Sequence, residues 1–562
     1  MSSIVYANGI LYLGGGVFET GSLVVADGLI TQVLRANEPL PPADEVVDLE
    51  QGTLLPGFQD AHAHPLLAGV LLMGIDLLPV HDRSEYLRII GDYAAAHPEL
   101  TSIEGGGWFG DVFDGGFPTA AELDAIVSDR PVILSSHDAH GVWVNSVALR
   151  LAGIDSDTVD PPNGRIQRDG DGEPSGVLLE GATALVAGLR SVPDESFNAQ
   201  ALLRAQERLH SVGITAWQDA FVGDGDIGPN ALPAYEHLDQ TGQLTARVVM
   251  AQWWERSRGL EQIDELVAVR ARFEESDRLD AGTVKVMLDG MIENGTASMI
   301  DPFEGRPDDV GITFIDTEAA CELAIALDAH DFQIHFHAVG DRAARIGLDA
   351  VAAALAANGQ RGNRHHIAHL DIVDPADVPR FAELDVTANI TALWARRDEE
   401  IVTRKLPLLG AAREAIHFPF ASLHRAGARL VGGSDWPVTD PNPLWSVHTA
   451  TTRTGVAEDP HAIGDEVFAV PLLADEAIDL GTALDAYLSE AAYINRLDAS
   501  TGVLRVGAAA DLVWIDRDLR DPAALGPAVV RRTLIDGRVV YAAPAPQPDA
   551  PQPDAPQPTE YP

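Results

Sequence analysis

Apolar and polar positions alternate over residues 4–12 and 22–33. Gly14-Gly15-Gly16 and Asp27-Gly28 punctuate them, so short strands and tight turns are expected at the N-terminus. The same texture returns at residues 511–516 and 532–541, the latter with a hairpin turn at Asp536-Gly537. Two β-rich ends predict one composite β-sandwich from both termini, 1–56 with 499–545; two unrelated β caps are the alternative. Between them, short apolar runs alternate with stretches rich in Ala, Leu and Glu. Strands are expected at 53–58, 213–217, 246–251, 283–288, 333–337, 366–369, 386–390 and 429–432, and the clearest helices at 318–329 and 342–357. This alternation implies an α/β fold with parallel strands and crossover helices, and eight strands favour a closed (β/α)8 TIM-type barrel. The barrel is expected over 57–77 and 205–498. Residues 78–204 break the rhythm with Gly, Pro and Asp turns and read as an inserted subdomain over the barrel mouth. Residues 546–562 repeat Pro-Gln-Pro-Asp-Ala and read as a disordered Pro-rich tail.

Candidate chemistry sits at the ends of these expected strands. His62-Ala63-His64 follows an apolar run, and on a strand side chains at i and i+2 share a face, so both imidazoles point the same way. Alone, such a pair is common without a metal. The spacing of further candidates adds weight, since a barrel unit takes about 31 residues. His337 and His369 are 32 residues apart, one unit, and His369 and Asp435 are 66 apart, two units. Lys285 precedes His337 by 52, one unit with a long loop. His62 to Lys285 spans 223 residues, and the 127 residues of 78–204 account for the excess over three units. The six residues then end strands one, four, five, six and eight, on the face where such barrels gather their active sites.

Composition changes the picture in three ways. Only Lys285 and Lys405 are lysine among 38 basic residues. A chain that otherwise uses Arg for positive charge points to amine chemistry where it keeps Lys. A neutral Lys285 amine adds CO₂ to become a carbamate, an oxygen ligand that guanidinium cannot form. Second, a formal net charge of −47 repels nucleic acid and anionic membrane. Third, Cys321 is the only cysteine, no apolar run of about 18 residues occurs, and residues 1–16 lack a basic signal-peptide start. A cytoplasmic protein with a small-molecule substrate and no nucleic-acid or membrane partner is expected; a homodimer is left open. The site chemistry fits a divalent metal, zinc above others, as one or two ions. Asp435 is then the general base and acid, taking a proton from the attacking water and delivering it to the leaving group.

Several motifs together resemble the amidohydrolase superfamily, and within it the YtcJ-like branch that includes N-substituted formamide deformylase. They are Leu55-Pro-Gly-Phe-Gln-Asp-Ala-His-Ala-His64, the stretch from Arg130-Pro-Val to His140-Gly-Val-Trp-Val-Asn145, and Gly213-Ile-Thr to Asp219. Val284-Lys-Val-Met-Leu-Asp-Gly290, His337-Ala-Val-Gly-Asp-Arg342, Gly433-Ser-Asp-Trp-Pro437 and 507–511 complete the set. The resemblance implies hydrolysis of an amide or other C–N bond, a composite β-sandwich, and zinc or another divalent metal. An esterase, lactonase or carbamate hydrolase on the same site is the alternative, with a metal-free binding protein behind it. Two segments depart from the family pattern. Arg364-His-His-Ile-Ala-His369 has Ala368 where the family has a carboxylate, and Thr391-Ala-Leu-Trp394 replaces a Gln-Pro segment with a His. Trp108, His140, Asp289, Glu293 and Trp394 are expected to contact substrate, against folding of the insertion or loop solvation as the bland reading. Asp60 and Asp341 are expected to hydrogen-bond behind metal ligands, against turn and capping duty. His335, His365 and His366 read as barrel filler or as supports for their neighbours.

Overall fold

The computed structural model describes residues 3–191, 194–225 and 228–544. Eight parallel strands form the barrel: Phe58–Ala63 (β1), Ile214–Val222 (β2), Arg247–Trp253 (β3), Leu279–Met287 (β4), Gln333–Ala338 (β5), His366–His369 (β6), Thr387–Ile390 (β7) and Leu430–Gly432 (β8). Nearly every residue in them is buried, as parallel strands covered on both faces require. Each strand pairs with its sequence neighbour from β1 to β8. The gap between β8 and β1 is bridged beyond the strand ends. The Asp435 amide donates to the His62 carbonyl and the His64 amide to the Trp436 carbonyl, both at 2.7 Å. The barrel therefore closes at its C-terminal rim, through the residues expected to carry the chemistry.

Helices complete the units. Asp316 caps Thr317–Ala329 by accepting from the Ala319 amide. Asp341–Asn358 runs until Gly359, whose φ of 75° stops it. One continuous apolar core joins the strands to these helices.

The apolar run at 53–58 does not form one strand. Thr53–Pro56 joins the terminal sheet and β1 starts at Phe58. Gly57 is the crossing point, where a Cβ would lie 2.4 Å from the Thr215 side chain. The terminal sheet is one connected eight-stranded sheet. Its order is Arg538–Ala542, Val530–Ile535, Leu512–Ile515, Thr53–Pro56, Ser3–Tyr12, Phe18–Ala26 and Leu29–Arg35, with Glu45–Asp48 also on Ser3–Tyr12. Both ends of the chain build it, as one hydrogen-bonded unit.

A six-stranded sheet interrupts the barrel, ordered Gly164–Arg168, Pro174–Glu180, Gly141–Val144, Val132–Ser136, Ile103–Trp108 and Ile75–Asp76. Its first strand starts ahead of residue 78, and helix Glu195–Ser211 runs through residue 204 to pack on Pro65–Met73. The unit is tied to the loop after β4. Thr296 Oγ1 donates to Glu180 Oε1 at 2.6 Å, and Asn294 Nδ2 to Asp138 Oδ2 at 2.9 Å. Residues 138–140 and 180 are thereby held at the barrel mouth. No helix among the described residues is long and apolar enough to cross a membrane. The expected Pro-rich tail, 546–562, and residue 545 lie outside the described residues.

Candidate metal centre

All six residues expected to hold metal line one pocket of about 610 Å³ at the C-terminal rim. His62 ends β1 with His64 just beyond it, and both meet Asp435. Their Nε2 atoms lie 3.2 and 3.1 Å from Asp435 Oδ1. The three ligand atoms fall within 4.8 Å of one another. Lys285 near the end of β4 brings Nζ to 3.2 Å from His62 Nε2. His369 completes the ring, with Nδ1 at 3.9 Å from Asp435 Oδ2 and its ring 4.7 Å from that of His62 and 4.5 Å from that of His337. His369 and Asp435 have φ of 78° and 56°, the left-handed region that non-glycine residues rarely occupy. Such strain persists where surrounding structure imposes it, commonly at functional sites.

Electrostatics favour lone pairs over protons here. Burial lowers His62 to about 3, with Lys285 adding to the effect, and it also lowers His64, His337 and His369. Burial likewise lowers Lys285 to about 7, against the pull of Asp435 and Asp219, so its amine is substantially neutral near neutral pH. Burial opposes ionisation of Asp435, but the neighbouring His62 and His64 outweigh it and hold the carboxyl well below its ordinary range. His337 Nε2 is buried without a hydrogen-bond partner. Neutral imidazoles, a carboxylate and an orphaned ring nitrogen fit a divalent metal.

The ligand orientations are fixed from behind. Gln333 Nε2 donates to the Arg364 and Ile494 carbonyls, so its Oε1 must accept. It accepts from Gln218 Nε2 at 3.1 Å, which leaves Gln218 Oε1 as acceptor for His335 Nδ1 at 2.6 Å. His335 Nε2 then carries the lone pair facing His62 Nδ1 at 2.9 Å. The proton on that contact belongs to His62 Nδ1, and His62 Nε2 is free to ligate. Asp60 Oδ1 accepts from the His62 and Ser434 amides at 2.9 and 3.1 Å, tying β1 to the Asp435 segment.

The other expected residues divide. His140 lines the pocket, with its ring 5.4 Å from that of His337 and Nδ1 2.8 Å from Glu180 Oε2. Burial works against charge on His140, but Glu180, its hydrogen bond and Asp138 outweigh it and raise the group to about 9. Glu293 and Trp394 line an adjoining cavity, and Trp394 stacks on His369 at 5.1 Å. Three residues are elsewhere. Trp108 is packed in the core of the inserted sheet, where Nε1 donates to the Leu134 carbonyl; aromatic bulk drew it inward, away from the mouth. Asp289 accepts from the Ser298, Val339 and Gly340 amides and is enclosed, with Oδ1 3.7 Å from His337 Nε2, so it organises the loops after β4 and β5 beside that histidine and lines neither cavity. Asp341 accepts from the Ile300 amide and bonds to no ligand histidine. His335 supports His62, as described. His366 packs tilted against His335 with ring centres 4.0 Å apart, and His365 pairs with Asp328. Glu180, Asp138 and Gln218 were not anticipated. For Gln218 a signal existed, two adjacent polar residues, Gln218-Asp219, inside an otherwise apolar strand.

Among known proteins, the amidohydrolase family model matches residues 45–541. The chain is 29% identical to the Arabidopsis thaliana protein LONG AFTER FAR-RED 3, covering 96% of this chain and 89% of that one. It is 27% identical to N-substituted formamide deformylase of Arthrobacter pascens, covering 93% and 94% respectively. An uncharacterized metal-dependent hydrolase from Pyrococcus furiosus superposes with a TM-score of 0.69 at 22% identity, over 92% of this chain and 100% of that one; this similarity speaks to the fold. Eight parallel strands with a histidine-rich site at their C-terminal rim define the class, a parallel α/β barrel with a site fit for metal. The chain belongs to the amidohydrolase family.

Proposed function

We propose that the protein is a metal-dependent amidohydrolase that cleaves the C–N bond of a small amide, of the N-substituted formamide kind, into a carboxylic acid and an amine. The observation that carries this reading is the convergence of His62, His64, Lys285, His337, His369 and Asp435 on one pocket. In this reading 57–77 and 205–498 are the catalytic barrel, 78–204 its cover, and 1–56 with 499–545 the terminal unit. The four histidines, Asp435 and Lys285 would hold one or two divalent ions, zinc first among them, and Lys285 would supply oxygen donors as a carbamate. When bound, such an ion supplies Lewis acidity and brings the pKa of water down to about 7. Asp435 takes the proton of the attacking water and passes it to the departing nitrogen. His140, held by Glu180, presents Nε2–H to the substrate carbonyl. Similarity to a formamide deformylase supports the substrate class.

Metal analysis of purified protein, followed by a panel of N-formyl, N-acetyl and ester substrates, tests this. Bound divalent metal and turnover of N-formyl amines are expected. Protein that binds none, or that turns over only esters, overturns the reading.

A further inference from the structure

A second cavity, of about 600 Å³, adjoins the metal pocket and shares Asp138 and Val438 with it. Trp394 partitions the two, stacked on His369 and carrying Lys405 Nζ 4.6 Å from its ring centroid. The strong cations of this region are already engaged. Arg396 is held by Asp398 at 3.0 Å and by a short ion pair to Asp459. Arg404 is on Glu400 at 2.5 Å, and Lys405 on Asp371 at 2.9 Å. The carboxylates are not matched in return. Glu293 has a side chain only 2% exposed, yet its Oε2 has no hydrogen-bond donor, and Lys405 Nζ stands off at 3.6 Å. Asp111 has Oδ2 on His81 at 2.7 Å, while its buried Oδ1 and the neighbouring Glu400 Oε2 have no hydrogen-bond donor. A buried acceptor without a donor is costly unless a ligand supplies one. Burial raises Glu293 and Glu400 above the ordinary carboxyl range, against the pull of Lys405 and Arg404. An aromatic group lines the same cavity, with Phe109 stacked between His137 at 4.1 Å and His461 at 5.1 Å. Arg404 and Lys405 belong to a single π-helical turn, Ile401–Lys405, an irregularity frequent at functional sites.

We propose that this cavity is a binding site for a primary ammonium group, so that preferred substrates are amides carrying an ammonium a few bonds from the scissile C–N bond. The proposal deepens the amidohydrolase reading and rests on it for what happens in the neighbouring pocket. An ammonium brings three donors and a positive charge to Glu293 Oε2 and to the Asp111–Glu400 pair. A carboxylate or phosphate would be repelled, and an apolar group would leave the acceptors unpaired. The shared Asp138 and Val438 let one ligand reach both cavities.

The test uses the zinc-loaded full-length enzyme. N-formyl-1,4-diaminobutane is compared with N-formylbutylamine, and 5-aminopentanamide with pentanamide. At least one ammonium-bearing amide is expected to exceed its neutral partner in kcat/KM by roughly tenfold or more, the scale of a charge-assisted contact. That ratio should collapse in Glu293→Gln and in Asp111→Asn, with thermal melting checking that each variant is folded. Calorimetry with 1,4-diaminobutane alone reads the cavity without turnover, and its binding should weaken in the same variants. Ammonium binding without hydrolysis of any amide sinks the amidohydrolase reading and leaves the site standing. Hydrolysis with no ammonium preference in either pair, or a preference unchanged in both variants, overturns the site.

Discussion

Two adjoining cavities of nearly equal volume are built by opposite means. The metal pocket draws its chemistry from the ends of barrel strands, and its bases are held neutral by burial, as in His62 at about 3 and Lys285 at about 7. The second cavity draws its groups from the insertion and from the loops after β4, β7 and β8, and its charges are held in ion pairs such as Lys405–Asp371. Strand ends cannot move without breaking the barrel ladder, so they suit a fixed ligand set. Loops tolerate substitution, so they suit choice of substrate. On the proposed reading, chemistry and selectivity occupy separate structural layers, with Trp394 between them.

The sharpest way to break this comparison is at Lys285. Lys285→Ala should abolish turnover of every substrate, neutral or cationic, because it removes a donor common to all of them. Acetate or propionate added to the variant should restore part of the activity by standing in for the carbamate oxygens. Retention of full activity in the variant would remove Lys285 from the ligand set.

A smaller effect is expected one layer back. Gln218→Met keeps the length of the side chain but takes away the acceptor that sets the His335 tautomer. His62 then loses the contact that keeps its proton on Nδ1. Metal affinity, read by competition with a chelator, should fall about 10–100-fold, the usual cost of losing such a support. Activity should recover at high metal concentration. An unchanged affinity would show that the backbone alone orients His62.

How much of this was legible beforehand follows the same division. Barrel strands announce themselves through buried apolar runs at regular spacing, so the gathering of His62, His64, Lys285, His337, His369 and Asp435 in one pocket followed from period and residue type. The split at Gly57 was hidden, because one apolar run serves two sheets. His140 was visible, but its partner Glu180 lies 40 residues on, joined only by pairing inside the inserted sheet. From their positions beside ligand segments, Asp289 looked like a substrate contact and Asp341 like a ligand support. Which backbone amides an Asp reaches depends on loop paths that no periodicity encodes, and both proved to be loop anchors. The second cavity gathers carboxylates from segments around residues 111, 293 and 400, so no local motif marks it.

The smallest effect concerns Trp108, which resembles a substrate contact in sequence and is a core residue in the fold. Trp108→Phe keeps an aromatic ring among Phe113, Leu134 and Trp143 but loses the donation from Nε1 to the Leu134 carbonyl at 2.9 Å. A buried carbonyl left without that donor costs about 1–3 kcal/mol. The cost falls on the inserted sheet, whose apolar core is separate from that of the barrel. The melting temperature should drop while kcat and KM stay unchanged within error for both neutral and cationic amides. A fall in kcat/KM at an unchanged melting temperature would instead mean that the inserted sheet transmits its packing to His140 and Glu180, and that cover and catalytic rim act as one layer.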